Sequence, residues 1–405
     1  MKKVIYIFFI ATALFSLFGF IIAGTKNLND KYLRGEYEVS LRLIKGESPY
    51  FKESPYPYPY SYNIGNYIIN IIGLSFYNHP VTLKLLRILS GWSLGILIFL
   101  FYFPKPYPQG FIRAGIFFLT YHFILAFGFF AINEPYALFF IMLGLLFFHK
   151  KKNIAGILAY CLAVSIKQFA ILLLPFLAVY LWNQKDKKKL YTVLFTGSLI
   201  TVILPLLIPG YLDVLSNTTN LGFANRYDNL YVLGGSILPF LLGFKLNDML
   251  FLANKALFVF IYLFLLLKFF LKKDRNIFSA YFIPVIIWLI LPPNAFLWGN
   301  YFFWVSIPIL LAPSLNAVFV YSLLLIPEYL LKMANSGHKI LQIPLYLATE
   351  ISAVIIFIYI FRFIWNFKEN QSNQVPVKSV IFFILLQAVL MFIVGVMRNN
   401  LLWFI

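Results

Sequence analysis

Residues 4–23 read VIYIFFIATALFSLFGFIIA and directly follow the basic pair Lys2-Lys3. The segment carries no charged side chain over about 20 residues, the length that an α-helix needs to cross the hydrocarbon core of a bilayer. The apolar core of a cleaved signal peptide is shorter, about 7–15 residues. We therefore predict that residues 1–24 form a retained first transmembrane helix.

The composition of the whole chain favours the same environment. Of its 405 residues, 61% are hydrophobic and 12% are charged, whereas soluble domains have about 45–50% apolar and about 25% charged residues. We predict an all-α, polytopic membrane protein that forms a single transmembrane domain, residues 1–405, with about 11–13 transmembrane helices. Beyond the first span, apolar runs lie near residues 82–103, 111–131, 136–148, 154–166, 168–182, 190–209, 250–271, 279–291, 301–312, 314–331, 342–364 and 379–397, and shorter ones lie near 64–77 and 231–243.

The formal charge of +19 would suggest a nucleic-acid partner in a soluble protein. Here the Lys and Arg residues form short clusters between apolar runs, as the positive-inside rule predicts for cytoplasmic loops, and we expect no nucleic-acid partner. This rule places the N-terminus and the basic clusters at 149–152, 185–189 and 272–275 in the cytoplasm. Residues 25–80, a long loop with short helices, and the loop 210–248 then lie on the outer face, where most acidic residues fall.

Disulfide and metal-thiolate chemistry have little support. Cys161 is the single cysteine and the four histidines lie far apart, so an intrachain disulfide is impossible and no metal-ligand spacing is present. We expect no cofactor. A divalent metal ion stays possible, although the residue pattern does not indicate one.

The first outer loop carries Asp30 just beyond the end of the first span. A carboxylate at the bilayer surface can accept a proton from a sugar hydroxyl. Asp is also a favoured N-cap residue, and residues 32–43 can form a helix, so a purely structural role stays open. Further along the loop, residues 56–60 read YPYPY around Tyr58 and present aromatic faces either to a sugar or to the membrane interface.

Three cations lie in or beside apolar runs, where charge is costly. Lys84 and Arg87 are spaced i, i+3 near the start of the second span. They would share one helix face and can hold a phosphate or extend to lipid headgroups. Lys167 interrupts an apolar stretch from residue 154 to 182. An ionisable residue in a membrane segment is a functional hypothesis by default, and a lipid phosphate is the obvious anion.

Two further polar segments lie at expected outer positions. Asn133 and Glu134 form a short turn between two apolar runs, either an ordinary polar turn or part of a site. Arg226 and Asp228 lie in the loop 210–248 and can bind phosphate or sugar hydroxyls, or pair with each other. The residue pattern assigns no role to Glu350, which lies inside the run 342–364.

Several of these segments occur in an order typical of a known family. They are Asp30 after the first span, Gly46 to Tyr50, Tyr56 to Pro59, Leu85 to Ser90, Asn133 to Tyr136 and Gly156 to Lys167. Over about residues 1–210 the chain resembles the GT-C superfamily of membrane glycosyltransferases, and it is most similar to the branch that uses polyprenyl-phosphate-linked mannose or a related hexose. It departs from that branch at the Tyr-Pro-Tyr-Pro run and at the Asn-Glu turn, which stand where Tyr-Pro-Pro and a Gln-rich turn are common. It also lacks an Asp-x-Asp motif, which leaves metal dependence open.

The resemblance implies an inverting hexosyltransferase that acts on the non-cytoplasmic face. Its implied donor is a polyprenyl- or dolichyl-phosphate-linked sugar, and its acceptor is a glycan, lipid or protein. The resemblance casts Asp30 as the catalytic base and implies that Arg87 and Lys167, with Lys84 or Arg226, hold the donor phosphate. We also predict that Glu36, Glu134, Asn133, Tyr58 and Asp228 bind substrate.

Two other classes of membrane protein remain open. A transporter or lipid flippase would have polar residues along a central pathway, often with internal repeats, and no repeat is visible in this chain. A non-catalytic scaffold would not need a cation at position 167. Convergence of the acidic residues and cations on one outer cavity would favour the glycosyltransferase.

Overall fold

The computed structural model shows a helical chain with two compact units, residues 1–221 and 222–405. The residues it describes are 2–25, 28, 31–50, 63–103, 107–120, 133–182, 184, 186–213, 248–272, 275–291, 302–313, 316–334, 339–365 and 375–397. No β-strand occurs among them, which confirms the all-α, polytopic membrane architecture. The organisation as a single transmembrane domain stays a prediction.

Unit 1 contains the segments that carry most of the candidate site residues. Its α-helices are α1 (Lys2–Thr25), α2 (Lys31–Ile44), α3 (Ile64–Phe76), α4 (Pro80–Phe101), α5 (Tyr107–Phe118), α6 (Glu134–His149), α7 (Asn153–Ile166), α8 (Leu173–Leu181) and α9 (Lys187–Leu206). A 3₁₀-helix, Gln168–Leu172, joins α7 to α8.

Unit 2 is a second set of apolar helices. Its α-helices are α10 (Asp248–Leu271), α11 (Ile277–Ile290), α12 (Phe303–Ile309), α13 (Ala317–Ala334), α14 (Lys339–Trp365) and α15 (Val377–Met397). Helix α11 packs against α14, and α13 packs against both α14 and α15. The Asn276 side chain caps α11 by accepting a hydrogen bond from the Ser279 N–H at 2.7 Å, and the Ser279 hydroxyl donates to the Ile364 carbonyl at 2.9 Å.

Several helices match the length and composition of membrane spans. Within the described residues, Tyr6–Thr25, Pro80–Phe101 and Lys187–Leu206 are each long and apolar enough to cross a bilayer. Shorter apolar helices accompany them in both units. Many large apolar side chains on α1 and α9 are exposed, as expected for helices that face lipid. The second predicted span, 82–103, is α4, and the predicted short helix near 64–77 is α3.

The helices of unit 1 are oriented so that their basic segments lie at one end. The Phe9 and Phe99 rings lie 5.4 Å apart and Gly24 packs directly against Ile88, so α1 is antiparallel to α4 and its N-terminus lies beside the end of α4. The Phe101 ring stacks on His149 at 4.2 Å, which brings the end of α6 to the same side. We refer to this side as the basic end.

A tight helical hairpin then returns the chain to the opposite side. Lys150 to Lys152 join α6 to α7 at the basic end, with Lys151 in the left-handed region at φ 58°. Gly144 and Gly156 allow α6 and α7 to approach closely, since a Cβ on Gly144 would lie 2.4 Å from a ring carbon of Tyr160. As a result, α6 begins and α7 ends at the side opposite the basic end, which we refer to as the site end.

Candidate functional site

The site end of unit 1 contains a buried ion pair between Glu36 of α2 and Arg87 of α4. The Arg87 Nη2 donates to Glu36 Oε2, and the two residues are 1% and 4% exposed. Lys84, one turn earlier on α4, is also fully buried. The i, i+3 spacing directs Lys84 and Arg87 inward among α2, α3 and α6 and away from lipid headgroups. A buried ion pair must recover a large desolvation cost, so this arrangement requires surrounding polar partners.

A second ion pair joins the ends of neighbouring helices. Lys167 Nζ donates to Glu134 Oε1 at 2.7 Å. Glu134 is the first residue of α6, and Lys167 directly follows α7, so each charge lies at the helix end whose dipole stabilises it. The Glu134 side chain is 2% exposed and that of Lys167 is 12% exposed. The Lys167 side chain is therefore the more accessible member of the pair.

Three asparagines of α3 connect these elements, and sequence reasoning did not single them out. Asn63 donates from Nδ2 to the Val164 carbonyl near the end of α7 at 2.6 Å. Asn66 donates to Glu36 Oε2 at 3.4 Å, and Asn70 donates to the Ser40 hydroxyl at 3.4 Å. The available signal was their spacing: positions 63, 66 and 70 form one helical stripe in an otherwise apolar segment.

Tyr136 connects the two ion pairs. It lies on the first turn of α6, two residues after Glu134, and is fully buried. Its hydroxyl lies 3.5 Å from Asn70 Oδ1 and 3.4 Å from the Leu83 carbonyl. Both acceptors belong to the elements that surround Arg87. The Glu36–Arg87 and Glu134–Lys167 pairs consequently belong to one polar layer at the site end.

Two loop segments close this layer from the side of α9. The Ser48 hydroxyl donates to the Pro209 carbonyl at 2.6 Å, and the Tyr50 ring packs edge-on against Tyr211 at 4.8 Å. Gly210 makes the approach possible, because it has φ 84° and a Cβ there would lie 2.5 Å from the Tyr50 carbonyl oxygen.

The Tyr211 hydroxyl then reaches the turn that carries Lys167. It donates to Asn63 Oδ1 at 2.6 Å and accepts from Gln168 Nε2 at 3.2 Å. Burial raises the pKa of Tyr211, and it raises that of Tyr50 further, so both phenols stay protonated at neutral pH. Tyr211 is, after the three asparagines, a further residue of this layer that the sequence did not indicate.

The structure brings together six of the candidate residues and leaves four outside its described part. Glu36, Lys84 and Arg87 form one group, and Asn133, Glu134 and Lys167 form the other. Asp30, Tyr58, Arg226 and Asp228 lie outside the described residues, as does the side chain of Glu350. Among the groups that are described, no set of His, Cys, Asp and Glu is arranged to hold a metal ion.

Among the described residues of the layer, positive charges outnumber negative ones. Glu36 and Glu134 contribute two negative charges, and Lys84, Arg87 and Lys167 contribute three positive ones. In a site with little water, even one excess positive charge acts strongly on a developing negative charge. The arrangement is therefore suited to a phosphate-bearing ligand that enters beside Lys167.

Residues 94–223 match the model of a family described as ALG3 protein. The stretch spans less than half of the chain, and it includes Asn133, Glu134, Tyr136, Lys167 and Tyr211. ALG3 proteins are mannosyltransferases of the GT-C type. This similarity supports a membrane glycosyltransferase in general. No curated protein matches the chain in a direct comparison.

Proposed function

We propose that this protein transfers a hexose, most specifically mannose, from a dolichyl- or polyprenyl-phosphate-linked donor to a hydroxyl of an acceptor. One observation carries the proposal: the polar layer that holds Lys167, Glu134, Arg87 and Glu36 lies toward one end of unit 1, with the Glu134–Lys167 pair at helix ends. The family that matches residues 94–223 uses a dolichyl-phosphate-linked mannose donor and a glycan acceptor.

The donor phosphate is the ligand that best suits the cations of this layer. Lys167 is the most accessible of the described cations in this layer. Its ammonium group has three N–H donors, so it can contact a phosphate while it keeps its hydrogen bond to Glu134. We assign Lys167 to the donor phosphate together with Arg87, Lys84 and Arg226. Arg87 is paired with Glu36. It therefore acts on the donor phosphate through its charge and not through direct contact, unless Glu36 moves away.

The proposed reaction forms one bond and breaks one bond at the anomeric carbon. The acceptor oxygen attacks the anomeric carbon, while the bond from that carbon to the phosphate oxygen breaks. Asp30 accepts the proton of the acceptor hydroxyl. Polyprenyl phosphate leaves with the electron pair, and the cations stabilise its growing charge. Attack opposite the leaving group inverts the anomeric configuration. We assign Glu36, Glu134, Asn133, Tyr58 and Asp228 to contacts with sugar hydroxyls.

The distribution of charge supports an orientation for this reaction. The N-terminus of α1, the Lys150 to Lys152 turn and the start of α9 at Lys187 all lie at the basic end of unit 1. By the positive-inside rule that end faces the cytoplasm, and the site end then faces the outer or lumenal side. Transporter sites instead tend to lie near the bilayer midplane, whereas the Glu134–Lys167 pair of unit 1 lies at helix ends and Arg87 lies nearer the start of α4 than its end.

The test is transfer of a labelled hexose in membranes that contain the protein. Membranes receive dolichyl-phosphate-[³H]mannose or the glucose analogue, and transfer to endogenous lipid-linked and protein-linked glycans is measured. We expect mannose to be transferred and Asp30→Asn to abolish transfer without loss of protein. Asp213→Asn, which changes an exposed aspartate after α9, is the control and should leave transfer intact. Absence of transfer from either donor by the unsubstituted protein would refute the proposal, and full activity of Asp30→Asn would remove that residue as the base.

A further inference from the structure

A second feature of the site end is a cavity of about 410 Å³ on the other side of α2. A volume of this order lies in the range of about 300–1,000 Å³ that small-molecule sites occupy. Its described lining residues are Leu28, Arg34, Tyr37, Glu38, His79 and Pro80. None of these six belongs to the two ion pairs described above.

The lining combines balanced charge with apolar walls. Arg34 and Glu38 are spaced i, i+4 on α2 and carry opposite charges, so the described lining residues carry no excess charge, unlike those of the buried layer. Arg34 supplies hydrogen-bond donors and Glu38 supplies acceptors. Leu28 and Pro80 supply apolar surface, and Tyr37 adds an aromatic side chain. A neutral ligand with many hydroxyls and some apolar faces, such as a saccharide, suits this lining better than an anion does.

Local hydrogen bonds hold the two aromatic side chains of the lining, Tyr37 and His79, in place. His79 is the N-cap of α4, and its Nδ1 accepts a hydrogen bond from the Val81 N–H at 3.2 Å. The cap does not use Nε2 of the same ring. The Tyr37 hydroxyl donates to Asn78 Oδ1 at 2.9 Å. Both side chains are therefore preorganised, which reduces the entropic cost of binding a ligand.

The position of α2 relates this cavity to the buried layer. Glu36 projects from the inner side of α2 toward Arg87, whereas Arg34 and Glu38 lie on its exposed side. The cavity and the Glu36–Arg87 pair therefore lie on different sides of α2.

We propose that this cavity binds a saccharide portion of the acceptor, through Glu38, Arg34 and His79. The assignment as acceptor subsite rests on the proposed function, but saccharide binding by the cavity does not. Glu38 accepts hydrogen bonds from sugar hydroxyls, His79 and Arg34 donate to ring or hydroxyl oxygens, and the apolar wall covers a sugar face. The donor phosphate stays with the cations, and the acceptor extends from the cavity around α2 to present its reacting hydroxyl to the donor.

The first test measures binding directly and needs no transfer activity. Methyl α-D-mannopyranoside is titrated into the detergent-purified full chain, and binding is followed by saturation-transfer NMR. We expect Glu38→Gln to weaken binding about tenfold, because a charged hydrogen-bond acceptor is lost. His79→Asn should also weaken binding, since Asn keeps the N-cap of α4 but removes the imidazole. Glu47→Gln is the matched control, because Glu47 is an exposed glutamate that pairs with Arg42 at 3.2 Å and lies outside the cavity.

The second test separates acceptor binding from donor binding. In the transfer assay, Glu38→Gln should raise the acceptor KM about tenfold and leave the donor KM and kcat unchanged. Both substituted proteins should retain the melting temperature of the unsubstituted chain, and Glu38→Gln decides the question if His79→Asn does not fold.

The outcomes distinguish failure of the subsite from failure of the proposed function. Equal methyl mannoside binding by Glu38→Gln, Glu47→Gln and the unsubstituted protein, or no binding at all, would overturn the cavity assignment even if transfer is observed. Binding that depends on Glu38 in a protein without transfer activity would uphold the saccharide site and reject only the transferase. A change in donor KM alone would place the donor sugar in the cavity and overturn the acceptor assignment.

Discussion

Lys167 Nζ lies 2.7 Å from Glu134 Oε1, so the residue that follows α7 is paired with the first residue of α6. The two helices form an antiparallel hairpin, and 33 positions separate the two residues in the chain. The pair places a partly accessible cation at the site end of unit 1 and holds it beside a buried carboxylate.

Lys167→Met should impair both stability and donor use. Removal of one member of a buried pair leaves an uncompensated charge on Glu134, which costs about 3–5 kcal/mol. The double variant Glu134→Gln/Lys167→Met removes both charges and should regain much of the melting temperature without regaining activity. Thermal unfolding in detergent and donor KM measure the two effects. A double variant with normal donor KM would show that Lys167 has only a structural role.

Arg87→Met should destabilise the protein by a similar mechanism, and Glu36→Gln/Arg87→Met should be more stable than Arg87→Met alone. The double variant contains no buried carboxylate without its partner. If Arg87 also stabilises the leaving phosphate, kcat should stay at least about tenfold below that of the unsubstituted protein, in keeping with the loss of an electrostatic contribution. Recovery of both stability and kcat in the double variant would remove Arg87 from the donor site.

Tyr211→Phe should lower stability by about 1–3 kcal/mol, because Asn63 Oδ1 loses its donor and Gln168 loses its acceptor in a buried setting. Tyr77→Phe is the matched control, since Tyr77 is exposed and removal of its hydroxyl should have little effect. The melting temperatures of both variants provide the comparison. Equal melting temperatures for Tyr211→Phe and Tyr77→Phe would show that the Tyr211 hydroxyl does not stabilise the Lys167 turn.

Gly210→Ala and Gly46→Ala should differ strongly in effect. Both glycines have positive φ, 84° at Gly210 and 77° at Gly46, and alanine in the left-handed region costs about 1–2 kcal/mol. Only at Gly210 would the new Cβ also meet an obstacle, the Tyr50 carbonyl oxygen, whereas nothing lies within 4 Å at Gly46. We expect Gly210→Ala to lower the melting temperature further than Gly46→Ala. Equal losses would mean that the contact with Tyr50 is not maintained in the membrane.

Much of the site could be inferred from local sequence, because charge in an apolar segment is conspicuous. The i, i+3 spacing of Lys84 and Arg87 indicated a shared face, and the interruption at Lys167 indicated a turn between two helices. The spacing alone did not show whether the Lys84 and Arg87 side chains extend to lipid headgroups or point into the protein interior. That choice depended on which helices surround α4, and the structure shows that they bury both cations.

The polar partners of those cations were harder to predict. The three asparagines at positions 63, 66 and 70 are uncharged and occur in a short apolar segment, so no sequence pattern marks them as part of a site. Tyr211 is one of 27 tyrosines in the chain, and no pattern near position 211 distinguishes it. The partners of these side chains are more than 25 positions away in sequence, for example Asn66 with Glu36 and Tyr211 with Asn63. Only the packing of α3 between α2 and α7 brings them within hydrogen-bonding distance.

The sequence by itself determined that the chain is helical and belongs in a membrane, because long apolar segments such as 4–23 can satisfy their backbone hydrogen bonds in lipid only as helices. It also determined that charged side chains would be few and segregated, since each one is costly in a bilayer. The tertiary structure decided which charges are paired: Arg87 with Glu36, and Lys167 with Glu134. A charge buried in a protein is stable only beside a partner of opposite sign, and the identity of that partner depends on how separate helices pack together.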